Sequence, residues 1–193
     1  MPSERGACPG TVALHLRRAC DYRSDMSDMT PSRLLVRVAV VDDAERLGLV
    51  HHTSWVETFT GIASPAFWQG VSVERSVETW RRLLTEGLDA TVAEVDGVVV
   101  GLAVVADAQA RHGVPPARER ELSNLYVLAA HHGAGVGQAL LDAVLPAGTP
   151  AQLWAARDTP RAQRFYARNG FTPDGVTDDG SSFGGIAAMR LVR

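Results

Sequence analysis

Residues 121–145, ELSNLYVLAAHHGAGVGQALLDAVL, carry the strongest signal in this sequence. A strand-like run from Glu121 to Leu128 leads into a loop of small residues. Gly133, Gly135 and Gly137 then open a helix predicted from Val136 to Leu145. Glycines allow close approach to the backbone, and the N–H groups and dipole of a helix N-terminus attract anions. The stretch therefore predicts a phosphate-binding loop, against the plainer alternative of a turn that only packs the helix on the strand.

Two common phosphate motifs do not fit this loop. A P-loop requires a lysine, and all 19 basic residues of the chain are arginine. The dinucleotide motif G-x-G-x-x-G requires its third glycine one residue later than Gly137, and no acidic residue follows at the expected spacing. The pattern thus disfavours a P-loop NTPase and a nicotinamide-dependent oxidoreductase.

Composition narrows the remaining classes of function. The net charge of −3 argues against nucleic acid as a partner, and no apolar run is long enough to span a membrane. The first thirty residues lack the apolar core of a secretory signal, so we expect a cytoplasmic protein. Cys8 and Cys20 match no zinc spacing, so no metal is expected.

The order of predicted elements indicates one α/β (α+β) domain, with a mixed central sheet flanked by helices. Residues 1–33 are predicted to form a flexible N-terminal extension, and residues 34–193 the folded domain. Hairpin signals such as Asp96-Gly97 argue against an all-parallel sheet. Strands are predicted at 34–41, 90–95, 98–106, 121–128, 152–156, 171–176 and 186–192. Helices are predicted from an Asp42/Glu45 capping box to Thr58, over 72–85 and 136–145, and from the cap Thr159-Pro160 to Asn169-Gly170.

The central segment resembles motif A of the GNAT superfamily, the Gcn5-related acyl-CoA N-acyltransferases. Leu125-Tyr126-Val127 matches the end of the family's strand, and the loop from His132 to Gly137 matches [Q/R]-x-x-G-x-[G/A], with His132 in place of Gln or Arg. The resemblance implies that loop amides bind the pyrophosphate of acetyl-CoA and that the strand end pairs with its pantetheine arm. The implied donor-binding residues are Tyr126, Val127, Leu128, His132, Gly133, Ala134, Gly135, Val136, Gly137, Gln138 and Thr159.

A second segment, from Thr159 to Phe171, resembles the family signature N-x-x-A-x-x-F-Y-x-x-x-G-F, with Thr159 in place of Asn. We interpret Phe165 as a core residue. For Tyr166 the resemblance implies a catalytic role, as general acid towards the CoA sulfur. The segment Ser54–Phe59 is similar to the family's S-W-x-x-x-[FY] helix.

Acyl transfer from a thioester to an amine requires a neutral amine, donors for the oxyanion and a proton for the thiolate. The resemblance implies an oxyanion donor at a backbone amide near Val127 and a general base at Glu121. Glu121 is equally well explained as a solvated charge at a strand end. Strict alternation places Glu121, Ser123, Leu125 and Val127 on one face and Asn124 on the other.

The resemblance as a whole implies an acetyl-CoA-dependent N-acetyltransferase that acts on a primary amine of a small molecule or protein, by direct attack in a ternary complex. Candidate acceptor residues are Trp55, Glu57, Phe59 and Asn124, and a homodimer is a further expectation. The alternative is a non-catalytic acyl-CoA-binding or regulatory module on the same fold.

Overall fold

The computed structural model describes residues 33–111, 113–181 and 183–193. The predicted flexible extension, together with both cysteines, lies outside the described residues except for Arg33. The described strands are β1 (Leu34–Val38), β2 (Ala90–Val95), β3 (Val98–Asp107), β4 (Arg120–Val127), β5 (Gln152–Ala156), β6 (Thr172–Asp178) and β7 (Ala188–Val192). The helices are α1 (Ala44–Phe59), α2 (Pro65–Gln69), α3 (Val73–Thr85), α4 (Val136–Val144) and α5 (Pro160–Arg168).

The strands form one seven-stranded sheet in the order β1-β2-β3-β4-β5-β7-β6. Neighbouring strands are antiparallel except β4 and β5, which are parallel. Their register consists of the single pair Glu121 and Gln152, so the two strands diverge beyond it. The remainder of β4 thus presents an open edge on the side of β5. This mixed sheet flanked by helices confirms the predicted fold class.

The turn between β2 and β3 has the geometry that its sequence predicts. Asp96 and Gly97 both adopt positive φ, 52° and 80°, as a two-residue hairpin turn of the primed type requires. Asp96 also accepts a hydrogen bond from the backbone N–H of Arg33 at 2.8 Å, which ties the start of β1 to the turn.

A bulge in β4 overturns the predicted alternation of its side chains. Val104 pairs with Asn124 and Val105 with Leu122, so Ser123 is an extra residue. Leu122 and Leu125 therefore share the face that packs on α4 and α5. By alternation on either side of the bulge, Glu121 falls on the opposite face with Asn124 and Tyr126. The prediction that Glu121 and Asn124 lie on opposite faces is wrong.

The start of α1 also differs from the prediction. A 3-10 turn at Val41–Asp43 precedes the helix, which begins at Ala44. Asp43, rather than Asp42, supplies the local contact: its carboxylate accepts from the N–H of Val40 at 2.8 Å and pairs with Arg37 at 2.7 Å. Arg37 on β1 therefore determines which of the two adjacent aspartates, Asp42 or Asp43, is buried.

Two features of the helical layer were not predicted. The short helix α2 begins after Ser64, whose hydroxyl accepts from the N–H of Phe67. Helix α1 crosses α3 closely at Gly48, where an added Cβ would lie 2.5 Å from the backbone N of Val77. Of the helices in the described ranges, none is both long enough and apolar enough to cross a bilayer.

Candidate active site

The glycine loop after β4 has the backbone geometry of an anion site. Gly133 and Gly135 adopt positive φ, 82° and 83°, and Gly135 is the N-cap of α4. Ala139 donates the first hydrogen bond of the helix, to Gly135 O at 3.0 Å. The N–H groups of Val136, Gly137 and Gln138 precede that bond and project from the helix N-terminus. A Cβ built on Gly133 or Gly135 meets no atom within 4 Å, so the space over the loop is open to a phosphate.

Gly137 has a different role from the two loop glycines. A Cβ at this position would lie 3.7 Å from Phe165 and 3.9 Å from Val127, which are ordinary packing distances. Val136 beside it is buried in the core, whereas Ala134 is exposed in the loop. Gly137 therefore sits where α4 packs against α5 and β4.

The side chain of His132 folds back onto β4. Its Nε2 lies 2.8 Å from the carbonyl oxygen of Val127. Leu128 N donates to Val100 O on β3 at 3.0 Å, and successive N–H groups of a strand point in opposite directions. The N–H and C=O groups of Val127 consequently face the open edge of β4. The carbonyl oxygen is already in hydrogen-bond contact with the His132 side chain.

Two other residues that the resemblance assigns to donor binding use their side chains within the protein. Gln138 donates to Asp142 at 2.8 Å and to Asn169 at 2.9 Å, and so joins α4 to the end of α5. Thr159 does not cap α5 with its hydroxyl, which instead donates to Ala156 O at 2.7 Å. The expected side-chain cap is therefore wrong: the Thr159 hydroxyl contacts the end of β5 and accepts no hydrogen bond from the first turn of α5.

Tyr166 lies on α5, on the side of the helix that packs against the core. Its ring contacts Phe165 at 5.3 Å and Phe171 at 5.9 Å between centroids. Burial raises the pKa of Tyr166 above its usual range, and the nearby Tyr126 adds to the effect. The hydroxyl is protonated at neutral pH, as that of an exposed tyrosine also is, and its burial makes it a weaker acid. Phe165 packs on the same cluster, which confirms its interpretation as a core residue.

Tyr126 joins β4 to α1 on the other face of the sheet. Its hydroxyl accepts from Trp55 Nε1 at 2.9 Å. Burial raises the pKa of Tyr126, while hydrogen bonds with Trp55 and Asn124 act in the opposite direction. The expected acceptor residues Trp55 and Asn124 are thus brought together around this hydroxyl.

An aromatic cluster, formed by Trp55, Phe59, Phe67 and Phe183, surrounds the same region. Trp55 lies 5.3 Å from Phe67 and 5.6 Å from Phe183 between ring centroids, and Phe59 is buried behind them. The rings come from α1, α2 and the segment between β6 and β7. A hydrogen bond from Ser64 N to Gly184 O at 2.8 Å joins the latter two. Phe67 and Phe183 were missed by sequence reasoning, because only the fold brings them to Trp55.

Glu57 lies apart from the aromatic cluster. Its carboxylate accepts from Ala129 N at 2.9 Å, where the chain leaves β4 and enters the glycine loop. His51, by contrast, packs among Trp55, Trp80 and Tyr126 and accepts from Trp80 Nε1 at 3.2 Å. Burial, reinforced by His52, lowers the pKa of His51 to about 4, so its imidazole is neutral.

Glu121 stands at the point where β4 and β5 meet. Its Oε2 accepts from Nε2 of the buried Gln152 at 2.7 Å, and its side chain is half-buried. Glu121 is therefore held in place by a neighbouring strand. Within the described part of the chain, no group of His, Cys, Asp and Glu side chains has the arrangement of a metal site.

Comparison with known proteins places this arrangement in a family. The profile of the family described as "Acetyltransferase (GNAT) domain" matches residues 86–173. An uncharacterized N-acetyltransferase of Archaeoglobus fulgidus is 31% identical over 120 residues, which cover 58% of this chain and 78% of the relative. A probable N-acetyltransferase of Mycobacterium tuberculosis is 27% identical over 160 residues, 77% of this chain and 86% of the relative.

The fold is likewise similar to that of solved acetyltransferases. The PaiA N-acetyltransferase of Thermoplasma acidophilum, determined in complex with coenzyme A, superposes with a TM-score of 0.59 at 21% identity, over 82% of this chain and 98% of that one. These findings define the protein as an acyltransferase. The chain belongs to the GNAT acetyltransferase family.

Proposed function

We propose that this protein is an acetyl-CoA-dependent N-acetyltransferase that modifies a primary amine of a small molecule or protein. The observation that carries the proposal is the open edge of β4, which is followed, after the 3-10 turn Ala129–His131, by the glycine loop at the N-terminus of α4. An extended polar chain that ends in a phosphate fits such a surface, because the edge offers backbone hydrogen bonds and the loop offers N–H groups to the anion.

The donor would be held mainly by backbone. The N–H groups from Gly133 to Gln138 would bind the pyrophosphate, and the Val127 edge would pair with the pantetheine arm. The side chains of Gln138 and Thr159 already have partners within the protein, which supports a backbone cradle. Acetyl-CoA, as donor, supplies the acetyl group on a thioester.

The protein's own groups fit the proton transfers of direct attack in a ternary complex. Glu121 would accept the proton of the incoming amine through water as the N–C bond forms. The N–H of Val127, which faces the open edge, would donate to the oxyanion. Tyr166 would give its phenolic proton to the departing sulfur as the C–S bond breaks. Tyr166 carries this proton at neutral pH, which the role requires, although burial makes its hydroxyl a weaker acid than that of an exposed tyrosine.

The acceptor would lie on the opposite face of β4 from α4. Glu121, Asn124 and Tyr126 share that face because of the bulge at Ser123. Trp55 fixes the Tyr126 hydroxyl, and the aromatic cluster forms an apolar wall beside it. The wall favours an amine that carries an apolar or aromatic group.

The test is thiol release from acetyl-CoA with a panel of amines, for the wild type and Tyr166→Phe. The substitution should lower kcat by about 100-fold, the lower range for a lost general acid, and leave CoA affinity within about twofold. Tyr126→Phe is the matched control, because it also loses one phenol but should raise KM for the amine more than it lowers kcat. Tight CoA binding without thiol release on any amine would contradict catalysis and favour a regulatory module.

We further propose a cytoplasmic location, a folded domain from residue 34 and a homodimer. The donor is an intracellular metabolite, which supports the first. Cell fractionation tests the location, and recovery in the medium would contradict it. Limited proteolysis of the full chain tests the domain boundary, and cleavage within 34–193 before the N-terminal segment would contradict it. Light scattering after size-exclusion chromatography tests the homodimer, and a monomer mass would contradict it.

A further inference from the structure

Gln152 is a buried amide at the start of a buried strand. It opens β5 with 1% of its surface exposed, between the buried Ala151 and Leu153. An amide in such a place destabilises the fold unless its polar atoms are bonded. The contacts of Gln152 therefore indicate what holds this residue in the core.

Three hydrogen bonds fix the orientation of this amide. Oε1 accepts from Ala117 N at 2.6 Å and from Arg118 N at 3.2 Å, while Nε2 donates to Glu121 Oε2 at 2.7 Å. Backbone N–H groups can only donate, so the oxygen must face the segment at 117–118. The NH2 group is thereby directed at Glu121, which must accept.

The segment that holds Gln152 is itself anchored to the sheet. Arg190 on β7 donates from Nη1 to Pro115 O at 2.8 Å, and Arg118 Nε donates to Arg193 O at 2.8 Å. Arg190 is buried and paired with Asp174 at 2.7 Å. The chain before β4 is thus attached to β7 and to the end of the chain, which restricts movement of the Gln152 oxygen.

The contact lies at the register pair where β4 and β5 meet before they diverge. We propose that Gln152 is a positioning residue for Glu121. By donating to Oε2 it fixes the carboxylate plane and leaves Oε1 as the oxygen that takes the amine proton, through water. This inference rests on the proposed function and adds a residue that acts only through Glu121.

The test is a double-mutant cycle between Gln152→Glu and Glu121→Ala. Gln152→Glu keeps an acceptor oxygen for the 117–118 amides but places a second carboxyl group beside Glu121, where the two either repel each other or share one proton, so that Glu121 no longer acts as a free base. We expect kcat about tenfold lower with KM for acetyl-CoA within about twofold, and no further loss when Glu121→Ala is already present. Gln109→Glu is the control: it adds the same charge on an exposed residue between β3 and β4, and should leave kcat unchanged.

A spectroscopic arm tests the bond without turnover. The side-chain amide protons of Gln152 should resonate downfield in the wild type, because one of them is donated to Glu121 at 2.7 Å, and they should shift upfield in Glu121→Ala. The charged pair Asp107 and Arg120 lies on the neighbouring strand ends and remains in both proteins, so it cannot account for the difference.

The outcomes separate the two proposals. A wild type that releases no thiol with any amine overturns the proposed function and this inference with it. If the wild type turns over normally but Gln152→Glu lowers kcat by the same factor whether Glu121 is intact or replaced by alanine, only the positioning role is overturned. Amide resonances that ignore Glu121 also overturn it.

Discussion

Replacement of Gly135 by alanine tests whether CoA binding depends on the backbone conformation of the glycine loop, because the added Cβ would contact nothing else in the protein. The φ of Gly135 is +83°, a region that costs an L-residue about 1–2 kcal/mol, although a Cβ there meets nothing within 4 Å. The loop of the variant can relieve this strain only by leaving the geometry that directs its N–H groups at the ligand. If binding restores that geometry, CoA affinity falls by about 5- to 30-fold, the factor that 1–2 kcal/mol represents.

Gly137→Ala is the matched comparison on the same helix. Its Cβ would meet Phe165 and Val127 at 3.7 and 3.9 Å, and alanine is the better helix former, so affinity should stay within about twofold. Isothermal titration of CoA into both variants and the wild type gives the dissociation constants, and thermal denaturation checks that each is folded. Equal losses in the two variants, or wild-type affinity in Gly135→Ala, would refute the reasoning.

Three further substitutions probe the fold, the acceptor side and the pH response. Gly48→Ala should lower Tm, because the added Cβ would lie 2.5 Å from the backbone N of Val77. This overpacking costs about 1–3 kcal/mol, more than the ~1 kcal/mol that alanine gains in helix propensity. An unchanged or higher Tm would show that α1 and α3 separate freely. Gly184→Ala places a Cβ 2.5 Å from Phe67 Cδ2, so steady-state kinetics should show a raised KM for the amine and an unchanged KM for acetyl-CoA; the reverse pattern would place the aromatic cluster on the donor side. Unfolded histidine takes up a proton near pH 6.5 but folded His51 only near pH 4, so the free energy of unfolding should fall by at most roughly 3 kcal/mol as the pH drops through that window. Denaturant titrations of the wild type and His51→Gln check this, and an equal pH dependence in both would contradict it.

The sequence is a good guide wherever a local rule decides the structure. The Asp96-Gly97 turn, the helix after Gly135 and the helix after Thr159-Pro160 all form where they were predicted. Each depends on a few adjacent residues whose conformations are restricted by their own chemistry. A local error occurs at the start of α1, where Arg37, six residues away on β1, binds Asp43 and displaces the expected cap at Asp42.

The parts of the site that could not be predicted depend on pairing between strands. Nothing in the composition of β4 marks Ser123 as a bulge, because the extra residue is defined only by its register with β3. That bulge decides which face Glu121 occupies. Gln152 left a weak signal, a polar residue at the start of an apolar strand, but its partners lie 31 to 35 residues away. Helix α2, by contrast, does have a local signal in Ser64-Pro65, a cap followed by proline.

Because β4 and β5 diverge, part of β4 has no neighbouring strand on one side. Exposed strand edges invite association with other chains, and proteins commonly cover or shorten them. Here the edge is recessed between two strands of the same sheet, so only something as narrow as a single extended chain can enter. In the proposed complex the missing strand would be a small molecule, and the protein would reach its full set of backbone hydrogen bonds only while a donor is bound.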